Sequence, residues 1–92
     1  MPSKTSWSLK LSPQAEKDLA WFRKTDRKLY QKCFDLTLAV MKDPTSGIGK
    51  PEALKYLGGN VWSRRVNQEH RMVYEIFDTL VVVAAYRYHY KR

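Results

Sequence analysis

A chain of 92 residues has room for one domain. Its balance of 43% hydrophobic and 28% charged residues excludes a wholly disordered chain, and no apolar run approaches the ~20 residues of a membrane span. The charge is the strongest compositional signal: 17 Lys+Arg against 9 Asp+Glu leave +8, and the two halves divided at Ser46 carry +4 each. A field of that sign, spread over a small domain, attracts polyanions, nucleic acid first. The polar segment Met1–Thr5 lacks the apolar stretch of a secretory signal. A cytoplasmic location without membrane association is expected.

In chain order, Trp7–Leu11 alternates apolar and polar residues and predicts a short strand. Ser12-Pro13 opens a helix, with Ser12 as N-cap and Glu16 in the first turn. Ala15, Leu19 and Phe22 give it one apolar face, to about Lys24. Asp26 caps a second helix, whose stripe of Leu29, Cys33, Leu36 and Val40 is widened by Phe34 and Met41; Asp43-Pro44 ends it. Cys33 is the one cysteine, which excludes an internal disulfide and a cysteine-based zinc site. Its place on that stripe predicts a small core residue rather than a reactive thiol.

Thr45–Pro51 is a loop by composition. Ala53–Leu57, Val61–Val66, Arg71–Phe77 and Leu80–Tyr90 then read as strands joined by turns. The order β-α-α-β-β-β-β predicts an α+β fold in one domain spanning residues 1–92: an N-terminal strand, then a two-helix hairpin packed on a mainly antiparallel sheet. Met1–Thr5 is expected to be a flexible extension. Strict alternation places Val81, Val83, Ala85, Arg87 and His89 on one face of the last strand, and Leu80, Val82, Ala84, Tyr86, Tyr88 and Tyr90 on the other.

Phosphate-loop, dinucleotide-binding and zinc-protease motifs are absent, and the two histidines lack a metal-ligand pattern, so neither a catalytic metal nor a cofactor is expected. What remains is a set of Arg, Lys, Glu, His and Tyr in the second half of the chain. Metal-free RNA cleavage needs such groups: a base to deprotonate the ribose 2′-OH, cations to steady the phosphorane, and an acid for the departing 5′ oxygen. Arg offers a planar fork of donors and imidazole a pKa near neutrality. Each residue also has a plainer reading, as a solvated ion pair, a charged strand surface or a packing aromatic. The residues alone leave a nuclease and a non-catalytic nucleic-acid-binding module both open.

Four ordered segments are Gly49-Lys50-Pro51-Glu52-Ala53-Leu54-Lys55, Trp62-Ser63-Arg64-Arg65, His70-Arg71-Met72-Val73-Tyr74 and Arg87-Tyr88-His89-Tyr90. With the upstream Trp21…Thr25-Asp26-Arg27-Lys28, this pattern resembles the YoeB/Txe toxins of the RelE superfamily, over about Trp7 to Tyr90. The resemblance implies a microbial-ribonuclease-like fold and an endoribonuclease that cuts translated mRNA in the ribosomal A site. It further implies a cognate acidic antitoxin as partner, the ribosome and mRNA as targets, and a homodimer. By position, Glu52 corresponds to the general base, His89 to the general acid and Arg71 to the phosphate-stabilising arginine, with Tyr90 contributing to the site. Lys50, Lys55, Arg64, Arg65 and Arg87 are the expected RNA- and phosphate-binding cations. Many relatives end at the tyrosine; here Lys91 and Arg92 follow it. Two other expectations compete: a basic RNA- or ribosome-binding module that blocks translation without cutting, and an inactive scaffold acting through a protein partner.

Overall fold

The computed structural model describes residues 7–89. The expected extension Met1–Thr5, the end of the last predicted strand at Tyr90, and Lys91-Arg92 lie outside them.

The elements run β1 (Ser8–Leu11), α1 (Pro13–Thr25), α2 (Arg27–Lys42), β2 (Glu52–Ala53), one turn of 3₁₀ helix (Lys55–Leu57), β3 (Val61–Arg65), β4 (Arg71–Phe77) and β5 (Leu80–Tyr88). The five strands form one sheet in the order β1-β5-β4-β3-β2. β1 pairs with β5 in parallel; the other pairings are antiparallel. The α+β reading therefore holds, with the predicted element order. The strand expected at Ala53–Leu57 is instead a two-residue strand followed by the 3₁₀ turn.

The helix boundaries follow their caps. The Ser12 hydroxyl accepts from the Ala15 N–H at 3.0 Å, and Pro13 opens α1. Asp26 serves both helices: its N–H donates to the Phe22 carbonyl, and its carboxylate accepts from the Leu29 N–H at 3.1 Å. Ala15 and Phe22 of α1, with Cys33, Leu36 and Val40 of α2, pack against Met72, Tyr74, Val81, Val83 and Tyr86 of the sheet. Phe34 and Met41, expected to widen the buried stripe, are exposed together with Leu38. They recur at helical spacing on the outer side of α2, so that helix carries a second apolar band.

β5 departs from strict alternation. It stays in step with β4 from Phe77↔Leu80 to Tyr74↔Val83, then shifts at Val73↔Ala85 and again by Arg71↔Tyr88. Each shift is a bulge that reverses the facing of the residues after it. Ala85 therefore pairs with Val73, away from the helices, rather than sharing a face with Val83. Tyr86, predicted on the opposite side from Val83, is buried against α2, where its hydroxyl meets Thr37 Oγ1 at 2.6 Å.

Arg64 is wholly buried. Its guanidinium donates to the carbonyls of Asp43, Ser46 and Ile48 and to the Tyr74 hydroxyl, at 2.7–3.1 Å. It thereby laces down the loop between α2 and β2. Gly49 lies at φ +85°, and a Cβ there would stand 2.6 Å from Leu36 Cδ2, so the loop's close approach requires glycine.

Arg64→Ala would leave several buried acceptors without donors. The expected loss in unfolding free energy is about 3 kcal/mol or more, read from urea denaturation. Cys33 supplies a second check. Burial pushes its thiol up to about 12, so in the folded protein at pH 8 it should resist a disulfide exchange reagent, and react once denaturant unfolds the chain.

Candidate active site

The pairing register assembles the expected site residues on the sheet face turned away from the helices. Directly paired residues point to the same face. Arg65 pairs with Arg71, and Arg71 pairs with Tyr88, forming one cross-strand row. Glu52 pairs with Ser63, and Ser63 with Val73, forming the next row. Residues two apart along a strand share a face, so Glu52, Arg65, Arg71 and Tyr88 lie on one surface. The opposite rows, Arg64–Met72 and Trp62–Tyr74–Val83, face the helices. Strand spacings place the Glu52 and Arg71 Cα atoms about 12 Å apart, a gap that their side chains and a bridging phosphodiester can span.

In the second row Ser63 and Val73 are buried, as is Leu54 just after β2. Glu52 and Arg65 are exposed, and Arg71 is half-buried. This face thus offers two guanidiniums, Arg65 and Arg71, and two carboxylates, Glu52 and Glu75, on three adjacent strands. Lys55 is exposed on the 3₁₀ turn that follows Glu52. Lys50 adopts a left-handed backbone at φ +51° directly before Pro51-Glu52. With Lys32 and Arg65 it lines a cavity of about 350 Å³ at the margin of the same face, whose lining Asn67 and Gln68 complete.

Two of the expected phosphate-binding arginines lie elsewhere. Arg64 is committed to the loop carbonyls and presents nothing to solvent, because its strand position points inward. Arg87 stacks on Trp21 of α1, with its guanidinium carbon 3.7 Å from the ring centroid and its Nε buried without a hydrogen-bond partner among the described residues. The bulges in β5 bring it to the helix side. Tyr90 lies outside the described residues.

His89 stands one residue beyond β5 and turns opposite to Tyr88. Its Nε2 lies 2.8 Å from Nδ1 of His70, the residue before Arg71. His70 is 4% exposed, with its ring edge-on to Phe22 at 5.2 Å and to Trp21 at 6.0 Å. Burial holds its imidazole below the ordinary histidine value, and the neighbouring Glu69 carboxylate opposes that shift. The structure therefore brings Glu52, Arg65 and Arg71 together and sets His89 at the end of the sheet, on the α1 side.

Sequence reading missed two residues that shape this region. Asp18 is a buried carboxylate on the apolar face of α1; it accepts from the backbone N–H groups of Tyr86 and Arg87 at 2.9 and 3.1 Å and from the Gln14 amide. Its position three residues after Ala15 and four before Phe22 was the available signal: a charge on a core stripe needs a specific partner. His70 stands in the His70-Arg71 motif but was assigned no role of its own, and the structure buries it.

Known proteins share this arrangement of elements. A family model described as the YoeB-like toxin of bacterial type II toxin–antitoxin systems matches residues 11–90. Toxin YoeB of Synechocystis is 45% identical over 75 residues, covering 82% of this chain and 87% of the relative. Among solved structures, a YoeB dimer from Staphylococcus aureus matches with a TM-score of 0.83 and 37% identity, over 92% of this chain and 99% of the other. YoeB in a heterotetrameric complex with YefM, from the same organism, matches with a TM-score of 0.78 and 40% identity, over 91% and 98% of the two chains. The four motifs, the element order and these matches converge: the chain belongs to the YoeB-like toxin family of bacterial type II toxin–antitoxin systems.

Proposed function

We propose that this toxin is an endoribonuclease that cleaves translated mRNA in the ribosomal A site, without a metal cofactor, and so inhibits translation. The observation that carries the reading is the placement of Glu52, Arg65 and Arg71 on one open face of the sheet, from three adjacent strands. On this reading the Glu52 carboxylate takes the proton of the ribose 2′-OH. The 2′ oxygen attacks the adjacent phosphorus. Arg71 and Arg65 donate to the phosphoryl oxygens as negative charge builds on them. The bond from phosphorus to the 5′ oxygen breaks, and His89 protonates the departing oxygen. Products are a 2′,3′-cyclic phosphate and a 5′-hydroxyl. Lys50 and Lys55 hold flanking phosphates, and Tyr90 contributes to the site.

His89 serves as the acid by turning from His70 toward the Arg71 side, a movement of the short segment beyond β5. The ribosome would supply the orientation of the message, a contribution that can amount to several kcal/mol. An acidic antitoxin would silence the toxin by covering the cationic face. The exposed band of Phe34, Leu38 and Met41 on α2 is apolar surface that a protein partner can bury, whether the antitoxin or a second copy in a homodimer. No helix among the described residues is long and apolar enough to cross a membrane. That observation accords with action on cytoplasmic ribosomes.

The pairing of His89 with His70, rather than with Glu52 and Arg71, favours one second reading: a basic module that occupies the ribosome and blocks translation with the message intact. Primer extension on translated mRNA separates the two, because only the nuclease leaves new 5′ ends. Glu52→Gln, Arg71→Ala and His89→Gln should each lower cleavage about 10²–10⁴-fold and relieve growth arrest while circular dichroism stays native. Wild-type toxicity of an Arg71→Ala, His89→Gln double variant would end the nuclease reading. The upstream fragment should carry a cyclic phosphate or a 3′-phosphate, and cleavage should persist in EDTA; a 3′-hydroxyl would indicate metal-assisted hydrolysis instead.

A further inference from the structure

We propose that Glu69, His70 and His89 form a binding site for a divalent transition-metal ion of the zinc class, and that metal held there clamps His89 away from the phosphate-binding face. The site itself is independent of the nuclease reading; its inhibitory consequence rests on that reading.

The donor set is two imidazoles and one carboxylate, a combination that suits zinc, nickel or copper. One ligand atom from each residue lies within 4.8 Å of the others. Tetrahedral zinc, with bonds of 2.0–2.1 Å, sets its ligand atoms about 3.3 Å apart. His70 Nδ1 and His89 Nε2, now 2.8 Å apart, need to open by about half an ångström to admit the ion between them. His89 is exposed at the end of the sheet and free to make that adjustment. The Glu69 side chain is 70% exposed and 3.8 Å from His70 Nε2, so a rotamer change brings it to the ion or leaves it orienting the His70 ring. Water completes the coordination.

Two features make this more than a chance contact. His70 is held by T-shaped contacts with Phe22 and Trp21 of α1 and by its own backbone. Asn67 Oδ1 accepts the N–H groups of Glu69 and His70 at 2.9 and 2.7 Å, which fixes the turn that presents both residues. Cys33, buried in the core, does not compete as a ligand.

A bound ion would use the ring nitrogen of His89 that now faces His70 and keep that ring on the α1 side of the sheet. The proposed general acid could then neither carry a proton to the departing oxygen nor turn toward Arg71. Zinc would thus be an inhibitor of a metal-independent reaction.

The test titrates the untagged full-length protein with zinc chloride by calorimetry at pH 7.5. It also records histidine ring ¹⁵N–¹H spectra, where the chain's two histidines make assignment direct. One equivalent per chain should bind, and both rings should shift together. His89→Gln, at an exposed position, and His70→Gln should abolish uptake; Glu69→Gln should weaken it about 10-fold. Absence of binding in the wild type, or unchanged uptake in His89→Gln, would overturn the site. In the cleavage assay zinc should suppress activity and EDTA restore it. Zinc bound at full occupancy with cleavage unaffected would overturn the clamp. Cleavage without any zinc uptake would refute the site and leave the nuclease standing; zinc uptake by a protein that never cuts message would support the site and refute the nuclease.

Discussion

The irregular end of β5 is made possible by a buried carboxylate. A bulge leaves strand backbone groups without ladder partners, and in a protein interior each such group costs free energy comparable to a lost hydrogen bond. Asp18 takes the consecutive N–H groups of Tyr86 and Arg87, and the Ser12 hydroxyl donates to the carbonyl of Ala84 at 2.7 Å. Both come from α1 or its cap. The helix start, the strand irregularity and the placement of everything after Ala84 are therefore one coupled arrangement. Without it Arg87 would not reach Trp21, and the segment carrying His89 would leave the sheet in another direction.

Arg64 performs the corresponding task at the other margin. Three loop carbonyls and a tyrosine hydroxyl surround its guanidinium. A planar group with five donors satisfies them together, whereas a lysine ammonium presents a compact point charge in place of that fork. The loop it restrains leads directly into Lys50-Pro51-Glu52. Its neighbour Arg65, one residue further along the same strand, points outward and is exposed on the proposed phosphate-binding face. One Arg-Arg pair thus divides between scaffold and site through the two-residue period of a β-strand.

The same parity governs the pair His70-Arg71. Arg71 faces the open side with Tyr88; His70 faces α1 with His89. The arrangement places the proposed phosphate ligand, on β4, and the proposed acid, just beyond β5, on opposite faces of the sheet at its end. A short chain segment can cross that distance where an interior strand could not. On the proposed mechanism, the histidine pair holds His89 before it acts as the acid.

Much of this architecture was legible in the residues themselves. Ser12-Pro13 and Asp26 mark helix starts by local chemistry, Asp43-Pro44 marks an end, and the boundaries of Arg71–Phe77 follow from alternation between turn residues. The four motifs identified the family and singled out Glu52, Arg71 and His89 as candidates. The sequence could not reveal that Asp18 and Arg64 are interior, because a charged side chain is buried only when distant backbone groups converge to satisfy it. Nor could it show the facing of Ala85, Tyr86, Arg87 and His89. A bulge arises from the pairing of two strands and the helix packed across them, and a single inserted residue reverses every facing that local periodicity assigns.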